Sequence, residues 1–160
     1  MTCSAEESLR EVKDLMSSQL EQDEIEVTLN CEDHLQFRAD PQQLKQVLIN
    51  LLKNAAESVG HQGAVSLRAR RDTVQLNGEE TDATIIEVED TGPGIPPEIQ
   101  AKIFDPFFST KGDGTGLGLA IASRIIDKHG GNLEFDTQLG KGTIFRIVLP
   151  PGQSQKELVA

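Results

Sequence analysis

Residues 40–59, DPQQLKQVLINLLKNAAESV, set out a complete helix. Asp40 suits the capping position, and Pro41 suits the first helical turn, where its missing N–H has no partner to lose. Leu44, Val47, Leu48, Leu51, Leu52, Ala55 and Val59 then recur at helical spacing as one apolar stripe, so this helix lies against a core. Asn50 and Asn54 stand one turn apart on a flank at the rim of that stripe, with Glu57 on the same side. A rim position can face a cleft. An asparagine carbonyl is a hard oxygen ligand of the kind Mg²⁺ takes alongside water and phosphate oxygens. The plainer reading of the same pair is that it caps or hydrogen-bonds a neighbouring loop.

Outward from this helix the pattern changes period. IEVTLNC (25–31) precedes it, and AVSLRARR (64–71) and ATIIEVED (83–90) follow it as alternating strands. The turn-rich LNGEETD (76–82) joins the latter two, with Asn77-Gly78 as a hairpin signal. PEIQAKIF (97–104) has room for a short helix. A second long helix is expected from about Thr115 to His129, stopped by Gly130-Gly131. GNLEFDTQ (131–138) and GTIFRIVLP (142–150) read as two final strands. The order is strand, helix, two strands, helix, two strands, which predicts an α+β sandwich: a mixed, mostly antiparallel sheet with helices on one face. Ahead of it, residues 4–22 carry a thin helical stripe of Leu9, Val12, Leu15, Met16 and Leu20.

The 160 residues fit one domain, and 37% hydrophobic with 26% charged residues is an ordinary globular composition. A net charge of −11 excludes a general nucleic-acid or anionic-membrane surface, so an anionic ligand must rely on local donors and a metal ion. Cys3 and Cys31 stand at no metal-ligand spacing and read as free thiols of a reducing compartment. No apolar run approaches the ~18 residues of a membrane span, and the N-terminus lacks the features of a signal peptide. A cytoplasmic location is expected for this domain, within a parent protein that can be membrane-anchored.

Three further stretches can carry chemistry. In EVEDTGPGI (87–95) a strand delivers Asp90 to its end, where a carboxylate can accept from an exocyclic amine such as that of adenine and repels the carbonyl that guanine presents there. Gly92 and Gly94 let the backbone approach a flat base. A plain turn has the same composition. Asp90-Thr91-Gly92 is also the triplet of aspartic proteases, but it occurs once, and Pro93 stands where a small residue is wanted. KIFDPFFSTK (102–111) gathers Phe104, Phe107 and Phe108, either as core contacts or as anchors of a mobile lid. STKGDGTGLGLA (109–120) is neither a P-loop nor a dinucleotide fingerprint. Its glycines still expose amides at the start of a helix, which favours phosphate, with Thr115 as candidate cap and Lys111 as an added positive charge.

Taken in order, these stretches resemble the ATP-binding catalytic domain of sensor histidine kinases, of the GHKL superfamily with its Bergerat fold. NLLKNAAE (50–57) is similar to the family's N box, DTGPGI (90–95) to its G1 box, FDPFF (104–108) to its F box and GTGLGLA (114–120) to its G2 box. The resemblance implies Mg-ATP as ligand, with Asn54 on the metal and Asp90 reading adenine, helped by Thr143 through water. Gly92 and Gly94 would flank the base, and Gly114, Gly116 and Gly118 would wrap the triphosphate. Ile95, Phe104, Thr115 and Leu117 would complete the pocket.

Asn50 stands where related ATPases such as DNA gyrase carry a water-activating glutamate. An amide cannot accept a proton at neutral pH, so the resemblance implies transfer of the γ-phosphate to an external nucleophile rather than hydrolysis, with Asn50, Asn54 and Lys111 as catalytic residues. Glu57 departs from the basic residue many members place there, and Lys111 can compensate. His34, His61 and His129 are followed by Leu35, Gln62 and Gly130, not by the acid that follows a phosphoacceptor histidine. The expected partners are therefore a histidine-containing dimerisation domain, in the same parent protein or in trans, and a response-regulator receiver domain, within a homodimeric parent. The expected layout is 1–22, a helix that can be the end of the dimerisation domain; 23–150, the catalytic domain; and 151–160, a loose tail. A GHKL-type ATPase that drives conformational change and a non-catalytic ATP-binding module remain as alternatives.

Overall fold

A break in the first helical segment is the earliest departure from the sequence pattern. In the computed structural model, which describes residues 2–106, 108 and 118–151, strand β1 (Thr2–Ser4) leads into helices α1 (Ala5–Leu15) and α2 (Ser17–Gln22). Residues 4–22 read as one helix, but Met16 leaves helical geometry at φ −103° and ψ 6°. The Ser17 hydroxyl donates to the Asp14 carbonyl at 2.9 Å, a local bond of the type that competes with the helical ladder. After β2 (Ile25–Cys31), the short β3 (Gln36–Arg38) pairs antiparallel with β1, Cys3 opposite Phe37. Three residues are too few for alternation to show in sequence.

Helix α3 (Pro41–Val59) is built as its residues dictate: Asp40 Oδ1 accepts from the amides of Gln42 at 2.9 Å and Gln43 at 3.2 Å, and Pro41 opens the first turn. The hairpin that follows is longer than the pattern suggested. β4 (Gly63–Leu76) and β5 (Glu79–Asp90) run through the polar stretch to a two-residue turn, Asn77 at φ 54° and Gly78 at φ 83°, the pair of positive angles a tight hairpin needs. The short α4 (Pro97–Gln100), α5 (Gly118–Lys128), β6 (Asn132–Gln138) and β7 (Gly142–Leu149) complete the described chain.

Five strands form one sheet in the order β2-β4-β5-β7-β6, with β2 parallel to β4 and every other pair antiparallel. This is the mixed α+β sandwich expected from the order of elements. The registers place Val65, Leu67, Val88, Phe145 and Ile147 on one face, buried with the α3 stripe and with Ala122, Ile125 and Ile126 of α5. Ala5, Leu9, Val12 and Leu20 of the first two helices join the same core. His129 pins the far end of α5 to the start of α3. Its Nδ1 donates to the Ile125 carbonyl at 2.8 Å, and its Nε2 accepts from the Asp40 amide at 3.1 Å. Among the described residues no helix is long and apolar enough to cross a membrane.

The opposite sheet face carries charge around one carboxylate. Glu87 is 6% exposed and receives Arg146 Nε at 2.8 Å, Arg70 Nη1 at 3.0 Å and Arg68 Nε at 3.3 Å. Burial alone would raise its pKa, but the Arg146 hydrogen bond, with the charges of Arg70 and Arg68, outweighs burial and holds the group below the usual carboxylate range. A lowered folded-state pKa gives stability that is fully present above the unfolded value, about 4.3, and is lost as pH falls through the lower folded one. Glu87→Gln is expected to lose about 1–3 kcal/mol at pH 7, discounted because the arginines are partly solvated, with the gap to wild type closing in acid. Urea titrations across pH 2–7 check this; a gap as large at pH 2 as at pH 7 refutes it.

Candidate functional site

The sheet's central strand ends in a buried acid. Asp90, last residue of β5, is 2% exposed. Its Oδ1 accepts from the Gly92 amide at 2.8 Å and is met by the Ser58 hydroxyl of α3 at 3.5 Å. Gly92 is required by this packing, because a Cβ there would collide with Ser58 Oγ and stand 2.9 Å from Asp90 Oδ1. Across the β5–β7 ladder Asp90 faces Thr143, 4% exposed, and cross-strand partners share a face.

The loop after β5 is seated on the β6–β7 hairpin. The Ile95 amide donates to Thr137 Oγ1 at 2.8 Å, and the Gly140 amide donates to the Pro93 carbonyl at 2.8 Å. Gly94 has φ 85°, and a Cβ on it would lie 2.6 Å from the Gln138 carbonyl, so only glycine fits. Thr137 Oγ1 also lies 2.9 Å from Thr143 Oγ1, which links this loop to the residue opposite Asp90.

One flank of α3 connects this corner to α5. Asn50 Nδ2 donates to the Gly118 carbonyl at 3.2 Å, Asn54 follows one turn on, and Ser58 reaches Asp90 a turn later. The eight steps from residue 50 to residue 58 span about 12 Å of helix. The Asn50 bond is the plainer of the two roles open to that residue, and it places the amide against the opening turn of the second long helix. Phe104 packs edge-on against Phe135 and Phe145, with centroids 5.9 and 6.4 Å away, as a core contact. Lys111, Gly114, Thr115, Gly116 and Leu117, and Phe107 before them, lie outside the described residues.

Sequence reasoning missed Ser58 and Thr137. Ser58 continues the four-residue spacing of Asn50 and Asn54, a signal that was present. Thr137 could be found only from the β6–β7 register, which sets it opposite Thr143.

This geometry coincides with a family match: residues 39–153 fit the model for histidine kinase-, DNA gyrase B-, and HSP90-like ATPases. The chain belongs to that family. Within it, the relatives place this ATPase-family domain among the catalytic domains of sensor histidine kinases. It is 42% identical over 137 residues to the sensor histidine kinase ZraS of Salmonella typhimurium, covering 85% of this chain and 28% of that one. The catalytic domain of histidine kinase ThkA superposes with a TM-score of 0.83 at 33% identity, covering 97% of both chains. ThkA in complex with the response regulator TrrA matches at 0.79 and 30%, covering 97% of this chain and 42% of that one. Full-length ShkA in complex with AMPPNP matches at 0.80 and 34%, covering 95% and 31%. The histidine kinase domain described here thus spans little more than a quarter of ZraS.

Proposed function

We propose that this domain binds Mg-ATP and donates the γ-phosphate to a histidine on a separate dimerisation domain, within a two-component sensor kinase whose parent is a homodimer. The observation that carries the reading is the α3 flank of Asn50, Asn54 and Ser58, which runs from the opening of α5 to the Asp90 corner. Asp90 and Thr143 meet the adenine, Gly92, Gly94 and Ile95 shape the loop beside it, and Gly114, Gly116 and Gly118 approach the triphosphate, with Thr115, Leu117 and Phe104 around them.

The donor set suits Mg²⁺. Among the described residues no three His, Cys, Asp or Glu side chains gather into a metal cage, and the amide oxygen of Asn54 is a hard ligand that leaves the remaining positions to phosphate and water. The ion supplies charge neutralisation on the phosphates when bound. Asn50, already donating to the Gly118 carbonyl, cannot activate water as a base, so this chain's contribution is to hold the phosphate in line for a nucleophile from outside, with Lys111 as a counter-charge. The catalytic unit is residues 23–150, with 1–22 as the end of the dimerisation domain and 151–160 as a tail. The phosphorylated partner would pass the group to the receiver domain of a response regulator, the class of protein with which ThkA is in complex, in the cytoplasm.

Mixing the chain with labelled ATP, Mg²⁺ and a phosphoacceptor domain in trans tests this. Acid-labile label on the acceptor, with little phosphate released by the chain alone, is expected. Phosphate release with no acceptor label would turn the assignment to a hydrolase, and binding without either product would turn it to a regulatory module.

A further inference from the structure

Thr137 makes three contacts with a single proton. Its Oγ1 accepts from the Ile95 amide at 2.8 Å, donates to the Gly142 carbonyl at 3.2 Å and lies 2.9 Å from Thr143 Oγ1. An amide N–H can only donate and a carbonyl can only accept, whereas a hydroxyl does either. All three contacts are satisfied together in one arrangement: the Thr137 proton goes to Gly142, and the Thr143 proton is given to Thr137. The Thr143 hydroxyl then has only lone pairs left for the space beside Asp90.

We infer that Thr137 is a positioning residue that fixes the polarity of the Thr143 hydroxyl, so that the corner formed with Asp90 offers acceptors alone and selects a purine bearing an exocyclic amine over one bearing a carbonyl. The inference rests on the proposed placement of adenine at Asp90. Adenine presents N6–H donors at that edge and guanine presents the O6 acceptor, so an acceptor-only corner attracts the first and repels the second, directly or through a bridging water. With the Thr137 hydroxyl removed, the Thr143 proton is free to turn outward and meet a carbonyl. Thr137 touches no part of the base and acts only through its neighbour.

The test compares Mg-ADP and Mg-GDP affinity by calorimetry for the 160-residue chain and its variants. Thr137→Val keeps the shape and removes the hydroxyl; the ADP-to-GDP affinity ratio is expected to fall about tenfold, the worth of one hydrogen bond gained and one repulsion relieved. Thr137→Ser keeps the hydroxyl and should keep the wild-type ratio, although a purely structural role would move both variants with packing. A Val ratio within about twofold of wild type, or an equal fall in the Ser variant, overturns the inference while leaving the nucleotide site standing. If the wild-type chain binds neither nucleotide, both fail. Should the Val chain not melt cooperatively, Thr137→Ala is held to the same ratio criterion.

Discussion

Asp90→Asn is expected to weaken Mg-ATP binding about a hundredfold while leaving the domain folded, the loss being two factors of ten at about 1.4 kcal/mol each. Folding survives because an asparagine oxygen can still accept from the Gly92 amide at 2.8 Å and from Ser58. Affinity does not, because the change removes a charged acceptor and offers an N–H where the purine amine also presents one. Glu87→Gln is the matched control: it neutralises a carboxylate three residues away on the opposite sheet face and should alter stability without altering affinity. Calorimetry beside thermal melting decides it. Equal Mg-ATP affinity in Asp90→Asn and wild type would remove the purine from this corner altogether.

Phe145→Ala is expected to be the most destabilising single truncation in the described core, at about 3–5 kcal/mol. Its ring is 1% exposed, stands opposite Val88 in the sheet, and lies 6.0 Å from Phe135 and 6.4 Å from Phe104. The cavity opens beside the rings of Phe104 and Phe135, which pack edge-on against each other and cannot collapse into it without giving up that contact. Against a total of about 5–15 kcal/mol for a domain, that loss should drop the urea midpoint steeply. Phe135→Ala, whose ring is only partly buried, should cost less. A loss under about 1 kcal/mol for Phe145→Ala would mean that the ring is not packed as described.

What could be read from sequence was what is local. The cap at Asp40, the stripe from Leu44 to Val59 and the Asn77-Gly78 turn depend on residues within a few positions, and each element stands where those residues put it. The break at Met16 was hidden because it hinges on one serine bond rather than on a glycine or proline. The polar outer ends of β4 and β5 hid their own pairing, since strand alternation fades where both faces are solvated. Glu87 looked like any strand acid; only the register of three strands brings Arg68, Arg70 and Arg146 around it. The same holds for Thr137, which is defined by residues distant in the chain. The spacing of Asn50, Asn54 and Ser58, by contrast, was written in one helix and needed only to be continued by one more turn.

Because Asp90 and Thr143 come together only when β7 closes on β5, the corner proposed for the purine does not exist in any shorter precursor of the domain. A ligand held there clasps the last strand to the central one, and mass action then makes it a fastener of the native state: saturating it a hundredfold above its dissociation constant adds about 2.7 kcal/mol against unfolding.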